Sequence, residues 1–247
     1  MSATARTVSI VVPTLNEAEN VGALVAQIVT TGVAFREIVF VDDRSTDGTQ
    51  EIVRALARDH PIRLIERPPG EFGLASAIMT GARAGEGDLL LVMDADLSHP
   101  PERIGDLLAP LQDGAADMVI GSRYVEGGST PGWPLWRRTL SRVGSAFAYP
   151  LTGARDSMSG FFAISRAHLL ELDTPAAGFK LAFETIVRSK RNLRVREIPI
   201  AFRDRARGQS KMSFAVALKF FLLWVRAILW RALHSRHSER SEEPRIG

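Results

Sequence analysis

The sequence predicts an α/β fold, with a central, mostly parallel sheet flanked by helices in the doubly wound manner. Three observations point to it. Short apolar runs at Val8–Val12, Ile38–Val41, Ile62–Ile65, Leu89–Val92 and Met118–Ile120 alternate with segments of helical periodicity. Most of these runs are continuously apolar, as expected of strands buried on both faces. Acidic residues follow several of them: Glu17 after the first, Asp42 and Asp43 after the second, Asp94 and Asp96 after the fourth. Parallel strands put all these acids at one edge of the sheet, where open α/β folds bind ligands.

Val8–Val12 is β-branched and closes in Pro13-Thr14-Leu15-Asn16-Glu17. A helix is expected from Glu17 to about Thr31, with Val21, Leu24, Val25 and Ile28 on one face and Asn16 as its N-cap. Ile38–Val41 leads into Asp42-Asp43-Arg44-Ser45. Ser45 or Thr46 is placed to cap a helix near Gly48–Arg58, with Ile52, Val53 and Leu56 inward. Ile62–Ile65 is a third strand, Gly70–Gly73 a loop, and Leu74–Ala84 an alanine-rich helix. The Leu89–Val92 strand ends in Met93-Asp94-Ala95-Asp96. Pro100 and Pro101 then stop the sheet and open a helix over Pro101–Leu111.

Asp94 and Asp96 carry the chemistry. On a strict strand, carboxylates at i and i+2 share one face and repel. A divalent cation between them removes the repulsion, and Mg²⁺ or Mn²⁺ takes one or two protein carboxylates together with substrate phosphates. Alone, Asp-x-Asp equally suits a solvated turn. The other acidic strand ends favour a shared crevice. The first turn lacks glycine, and no Gly-x-Gly-x-x-Gly or P-loop follows any strand, which disfavours dinucleotide dehydrogenases and P-loop enzymes.

From Gly121 onward the chain becomes basic and less regular. Gly121-Ser122-Arg123-Tyr124 is a turn, and 127–133 a glycine-rich loop. A helix is expected from Pro134 to about Leu151, with Arg137 and Ser141 four residues apart on one face. That pair suits either a phosphate clamp or a solvated basic face. Asp156–Phe162 reads as a turn entering a strand that runs to Ile164, Phe179–Arg191 as a helix, and Val195–Phe202 as a strand. The 203–212 stretch gathers Arg203, Arg205, Arg207 and Lys211 around Gly208 and Ser210, suiting a loop over phosphates or a solvated one. Phe214–Leu233 is strongly apolar with Lys219, Arg226 and Arg231 interposed, the pattern of a helix lying in a membrane interface. A helix packed against protein is the other reading. The polar tail 234–247 has the composition of a disordered segment.

Charge is unevenly spread. Residues 180–247 hold 16 Lys+Arg against 6 Asp+Glu, leaving 15 against 22 in residues 1–179. A basic C-terminal third implies an anionic partner. The charges adjoin a long apolar helix rather than aromatic-interleaved strands, so nucleic acid is disfavoured. With no cysteine, disulfides and thiolate metal sites are excluded. No signal-peptide core precedes the first strand, and no run of about 18 apolar residues offers a clean membrane span.

Together Val11-Val12-Pro13-Thr14-Leu15-Asn16-Glu17, Val41-Asp42-Asp43-Arg44-Ser45, Asp94 to Glu102 and Gly121-Ser122-Arg123-Tyr124 resemble family 2 glycosyltransferases. Gly132-Trp133, Arg137, Ser141, Phe202, Asp204-Arg205 and Gly208-Gln209-Ser210-Lys211 narrow the resemblance to polyprenol (dolichol) phosphate mannose synthases, over about residues 8–230. The resemblance implies a Rossmann-like, GT-A type catalytic domain (1–212), a membrane-interface helix (213–233) and a tail (234–247). It implies that Pro13, Leu15, Glu17, Val41, Asp43 and Ala95 line the nucleotide-sugar site with Asp94, Asp96, Arg205 and Lys211. Asp94 and Asp96 match the metal pair. Ser98 is the candidate third metal contact, where some relatives have Gln. Arg123, Arg137 and Ser141 match contacts to an acceptor phosphate, with Asp94, Asp96 and Arg123 as the catalytic set. Many relatives have Arg where this chain has Phe162.

The reaction implied moves mannose from GDP-mannose to a polyprenyl monophosphate, with inversion and with Mg²⁺ or Mn²⁺. A small membrane-protein partner and a peripheral location on the cytoplasmic face of the membrane, without secretion, go with it. A phosphate monoester has a second pKa of about 6 and is mostly dianionic at neutral pH, so it needs no strong base. The residues do not discriminate GDP-mannose from UDP-glucose or another nucleotide hexose. A non-catalytic subunit that recruits lipid or another transferase is the remaining alternative, and intact Asp94, Asp96 and Arg123 weigh against it.

Overall fold

In a computed structural model, residues 5–172, 180–189 and 192–204 are described. The first half follows the predicted alternation: β1 (Val8–Thr14), α1 (Ala18–Thr30), β2 (Glu37–Asp42), α2 (Thr49–Leu56), β3 (Ile62–Glu66), α3 (Leu74–Ala84) and β4 (Leu89–Val92). After a 3-10 turn at Pro101–Arg103 come α4 (Ile104–Gln112), β5 (Met118–Ser122), α5 (Leu135–Thr152), β6 (Phe162–Ser165), α6 (Arg166–Leu170), α7 (Leu181–Arg188) and β7 (Val195–Pro199).

These strands form one sheet in the order β3-β2-β1-β4-β6-β5-β7. β1, β2, β3 and β4 are mutually parallel, while β6 runs antiparallel to both β4 and β5. The chain winds outward from β1 to β2 and β3, then returns to the other side of β1 to lay down β4. That reversal puts a crevice at the carboxyl ends of β1 and β4. The acids after β1, β2 and β4 therefore lie on three neighbouring strands, as the sequence predicts.

Alternation along the strands builds two cores. Val8, Ile10 and Val12 join Ile38, Phe40, Leu89 and Leu91 under α1, α2 and α4. Val11 joins Val39, Val41, Leu90 and Val92 under α3, α6 and α7. Phe162 belongs to this second core and is buried. The position is therefore a packing position here, and its side chain gives the crevice no polar contact.

Both expected helix caps are corrected. Glu17, not Asn16, is the N-cap of α1, and Gly48 with φ 94° is the N-cap of α2. Asn16 adopts φ 58°, its Oδ1 accepts from the Thr46 amide, and its own amide donates to Ser45 Oγ. These side chains tie the two turns together instead of capping helices. The last strand is also shorter than expected: β7 ends at Pro199, and beyond it Ala201 forms only an isolated bridge with Ser129.

Candidate functional site

The turns after β1 and β2 form one wall of the crevice. Asp42 is fully buried and accepts from Thr14 Oγ1, the Ser45 amide and hydroxyl, and Gln50 Nε2. With its oxygens so occupied, it pins the turn. Asp43 faces the other way. Its Oδ1 lies 2.5 Å from Arg67 Nη1, and its Oδ2 accepts from the Gly73 amide at 3.3 Å. Arg67 is buried and also donates to Ser76 Oγ and the Gly73 carbonyl. This arginine went unnoticed in the sequence, where only its place at the end of a strand before Pro68-Pro69-Gly70 marked it. Pro13 and Glu17 are half-buried at the same rim, Leu15 is exposed, and Glu17 accepts from Asn20 Nδ2. The Val41 side chain is fully buried in the α3-side core, so it can offer the crevice only backbone.

The acid pair lies just past the strand, which ends at Val92 as expected, so the face-sharing of a strict strand does not apply to it. The chain then turns so that Leu97 has φ 61°. Asp96 is 4% exposed and accepts from the Ser98 amide at 3.1 Å, whereas the Asp94 side chain is 32% exposed. Ala95 is buried between them. The Asp94 amide donates to His99 Nδ1 at 3.0 Å. His99 is buried, stacked on Phe161 at 5.1 Å between centroids and edge-on to Phe202 at 5.4 Å. Burial lowers its pKa against the opposing pull of Asp94 and Asp96. Since Nδ1 accepts, the neutral ring carries its proton on Nε2, 3.9 Å from Asp94 Oδ2. His99 thus sits behind the exposed carboxylate and holds its backbone. The sequence reading passed over it as part of a longer motif.

The residues at this turn fit a hard divalent cation. Two carboxylate side chains stand together, and Ser98 Oγ is buried without a hydrogen-bond partner among the described residues. No group of three or more acidic or imidazole side chains capable of holding a metal forms among the described residues. A metal here would complete its shell from substrate phosphate and water, as Mg²⁺ commonly does.

The opposite wall is cationic and aromatic. Arg123 follows β5, and its amide, Nε and Nη2 all donate to Asp156 at 2.7–2.9 Å. Asp156 has no exposed surface, and Glu197 of β7 in turn accepts from the amides of Arg155 and Asp156. Asp156 is thus a major component of the site that the sequence reading left in a turn. The Arg123 guanidinium carbon is 5.6 Å from the Trp133 ring centroid, and that of Arg137 is 3.9 Å from the same ring. Arg137 also meets Asp204 at 2.6 Å. Ser141 Oγ accepts from the Tyr124 hydroxyl at 2.6 Å. Arg137 and Ser141 do share the inner face of α5, while Arg138 and Arg142 are exposed. Trp133 meets Phe202 edge-on at 5.4 Å, so rings join the two walls: Trp133, Phe202, His99.

Lys180 lies beneath this wall, half-buried, its Nζ donating to the Met158 carbonyl at 3.1 Å. Burial and the nearby Arg123 push its pKa down to about 8, partly offset by Asp156 and Asp94. Arg205, Lys211 and the apolar segment 213–233 with its tail lie outside the described residues. No described helix is long and apolar enough to cross a membrane. The structure does reveal an apolar surface unforeseen in the sequence: Leu135, Trp136, Leu140, Val143 and Phe147 of α5 are exposed, Trp136 by 61%.

A doubly wound sheet with one antiparallel strand and an acidic turn after its fourth strand is the architecture of GT-A nucleotide-sugar transferases. The chain belongs to glycosyl transferase family 2, whose model matches residues 9–173. It is similar to proteins named dolichol-phosphate mannosyltransferase. That of Pyrococcus furiosus is 37% identical over 90% of this chain and 64% of its own length. That of Mycosarcoma maydis is 38% identical over 86% and 76%, and that of Saccharomyces cerevisiae 37% over 86% and 83%. The chain thus spans just under two thirds of the Pyrococcus furiosus relative. Among solved structures it shares its fold with glucosyl-3-phosphoglycerate synthase of Mycobacterium tuberculosis, bound to Mn²⁺, UDP-glucose and phosphoglyceric acid. The TM-score is 0.70 at 22% identity, covering 90% of this chain and 79% of that one.

Proposed function

We propose that this chain transfers mannose from GDP-mannose to a polyprenyl, dolichyl-type monophosphate, with inversion and with Mg²⁺ or Mn²⁺. The names of its relatives support the reaction. The observation that carries it is the sharing of the Trp133 ring by Arg123 and Arg137. Two guanidiniums on one ring, with the Ser141 hydroxyl on the same helix face as Arg137, suit a phosphate acceptor better than a sugar hydroxyl.

Asp94 and Asp96 would hold the cation, which neutralises the departing diphosphate as a Lewis acid. Pro13, Leu15, Glu17, Asp43 and Ala95, with the Val41 backbone, would line the donor nucleoside, and Arg67 holds Asp43 in a fixed orientation for it. The two arginines differ in kind. Asp156 is buried and engages Nε and Nη2 of Arg123, so that guanidinium is held in place with Nη1 left over. Asp204 is 46% exposed, so Arg137 can exchange it for an incoming phosphate. The acceptor is already dianionic at neutral pH and attacks without a protein base. The protein's work is to hold two anions in line, and the neighbouring cations make that possible. The exposed apolar row on α5 gives the prenyl chain a path at a membrane surface, with the enzyme peripheral on the cytoplasmic face. Arg205 and Lys211 would add charge over the diphosphate.

Calorimetry with GDP-mannose, UDP-glucose and their diphosphates, with Mg²⁺ or with chelator, tests this reading on wild type and Asp96→Ala. Metal-dependent binding of the GDP series, lost in Asp96→Ala, is expected. Preference for the UDP series would move the enzyme to a glucosyl donor. Absence of nucleotide binding would overturn catalysis in favour of a recruiting subunit.

A further inference from the structure

A groove of about 550 Å³ opens on the flank of α5, outside the set of residues assigned to the acceptor. Arg142, Ser145, Ala146 and Tyr149 form one wall, at the i, i+3, i+4, i+7 spacing of a single helix stripe. Tyr124 and Arg155 form the other. Arg123 and Arg137 each have a carboxylate partner, but neither Arg142 nor Arg155 has one among the described residues. An anion bound between them would give each guanidinium the partner that Arg123 and Arg137 already have. Ser145 supplies an independent sign of a ligand: it lines the groove, is 3% exposed, and its Oγ has no hydrogen-bond partner among the described residues. A buried hydroxyl left unpaired is costly.

We propose that this groove is a second anion site, which takes the phosphate of a phosphate-ester headgroup from an anionic bilayer lipid. Two guanidiniums match phosphate oxygens in forked geometry, and the Ser145 hydroxyl adds a third donor. The lipid source follows from the neighbouring stripe of the same helix. Trp136, Leu140, Val143 and Phe147 are exposed there, and arginines beside an apolar face sit at the depth of lipid phosphates. Tyr124 connects the groove to the acceptor set, because its hydroxyl donates to Ser141. A headgroup bound in the groove fixes the helix against the surface next to the place where the acceptor phosphate enters. The site does not depend on the transfer reaction.

Sedimentation of the full chain with vesicles tests the proposal without turnover, so its failure leaves the transferase reading untouched. Phosphatidylcholine vesicles are compared with the same vesicles containing phosphatidylglycerol. Arg142→Gln/Arg155→Gln is expected to weaken binding to the anionic vesicles about thirtyfold, the effect of two cations at such a surface. A charge-matched control, Arg58→Gln/Arg83→Gln at exposed positions elsewhere, is expected to change it far less. Ser145→Ala is expected to weaken it about fivefold with no change in charge. Calorimetric titration with inorganic phosphate separates the sources. Phosphate binding lost in the double variant, with vesicle binding unchanged, would retain the anion site and overturn the lipid source. A double variant indistinguishable from its control in both assays would overturn the site altogether.

Discussion

Arg123 and Asp156 form a buried, two-point ion pair, with Nε and Nη2 each 2.7 Å from a carboxylate oxygen, and the Arg123 amide adds a third bond to the same group. The pair joins the end of β5 to the turn before β6, 33 residues away. It makes Arg123 a fixed feature of the cationic wall and accounts for a buried guanidinium at the site.

Asp156→Asn retains the shape and removes the charge. Breaking a buried pair from one side leaves the other charge uncompensated and costs about 3–5 kcal/mol. A melting temperature lower by roughly 10 °C is expected for a chain of this size. At a temperature where both proteins are folded, kcat/KM is expected to fall at least tenfold, because Arg123 loses its orientation. Unchanged kcat/KM with reduced stability would confine Asp156 to the fold.

Gly160, just before the antiparallel strand β6, packs against Asp94 and His99. A Cβ there would lie 3.3 Å from both Asp94 Oδ2 and His99 Cε1. Gly160→Ala therefore forces Asp94 or His99 to shift slightly. Groups that orient metal ligands affect metal affinity by about 10- to 100-fold, and the lower end is expected here. Calorimetric titration with Mn²⁺ in the presence of GDP reads it. An unchanged affinity would mean that Asp94 does not hold the ion from this orientation.

Ser141 accepts from Tyr124 and keeps its own proton available for a phosphate oxygen. Ser141→Ala is expected to raise the acceptor KM about ten- to hundredfold, as loss of a hydrogen bond to a charged group does, and to leave the donor KM unchanged. Steady-state kinetics with each substrate varied in turn checks the split. An equal rise in both constants would place Ser141 in the general structure of α5.

The sheet was legible in the sequence wherever burial on both faces made a strand apolar throughout, as at Ile38–Val41 and Leu89–Val92. Its reversal at β6 was not, because strand direction depends on partners that Phe162–Ser165 does not encode locally. The acid pair was legible as chemistry and as the end of a strand, but the turn through Leu97 that buries Asp96 and leaves Asp94 partly exposed was not. Asn16 and Ser45 have the composition of caps, yet their nearest unmet partners lie in each other's turn. Arg67, His99 and Asp156 act through partners 24, 5 and 33 residues away, and no local pattern marks such pairings. Apolar content marks 213–233 in the sequence, whereas the exposed apolar row on α5 is hidden there because arginines interrupt it.

Lys180 gives the last prediction, a dependence of stability on pH. Its ammonium has an ordinary pKa of 10.5, and in the fold burial together with Arg123 brings it to about 8. Between those values the unfolded chain holds a proton that the folded one has lost, so stability rises as pH rises from about 8 to 10.5. Below pH 8 the folded protein carries the cost of a half-buried cation, at most about 3 kcal/mol at 1.36 kcal/mol per unit. Lys180→Met keeps an unbranched chain of similar reach and removes the titration. It also loses the bond to the Met158 carbonyl, a penalty that does not vary with pH. The stability of the variant relative to wild type is therefore expected to be most favourable at pH 7 and to decline by at most about 3 kcal/mol by pH 10.5. Urea unfolding of both proteins at a series of pH values measures that difference while cancelling the titration of tyrosines and other lysines. A difference that stays flat across the range would mean that Lys180 is solvated in the folded protein and does not lie beneath the Arg123–Asp156 pair.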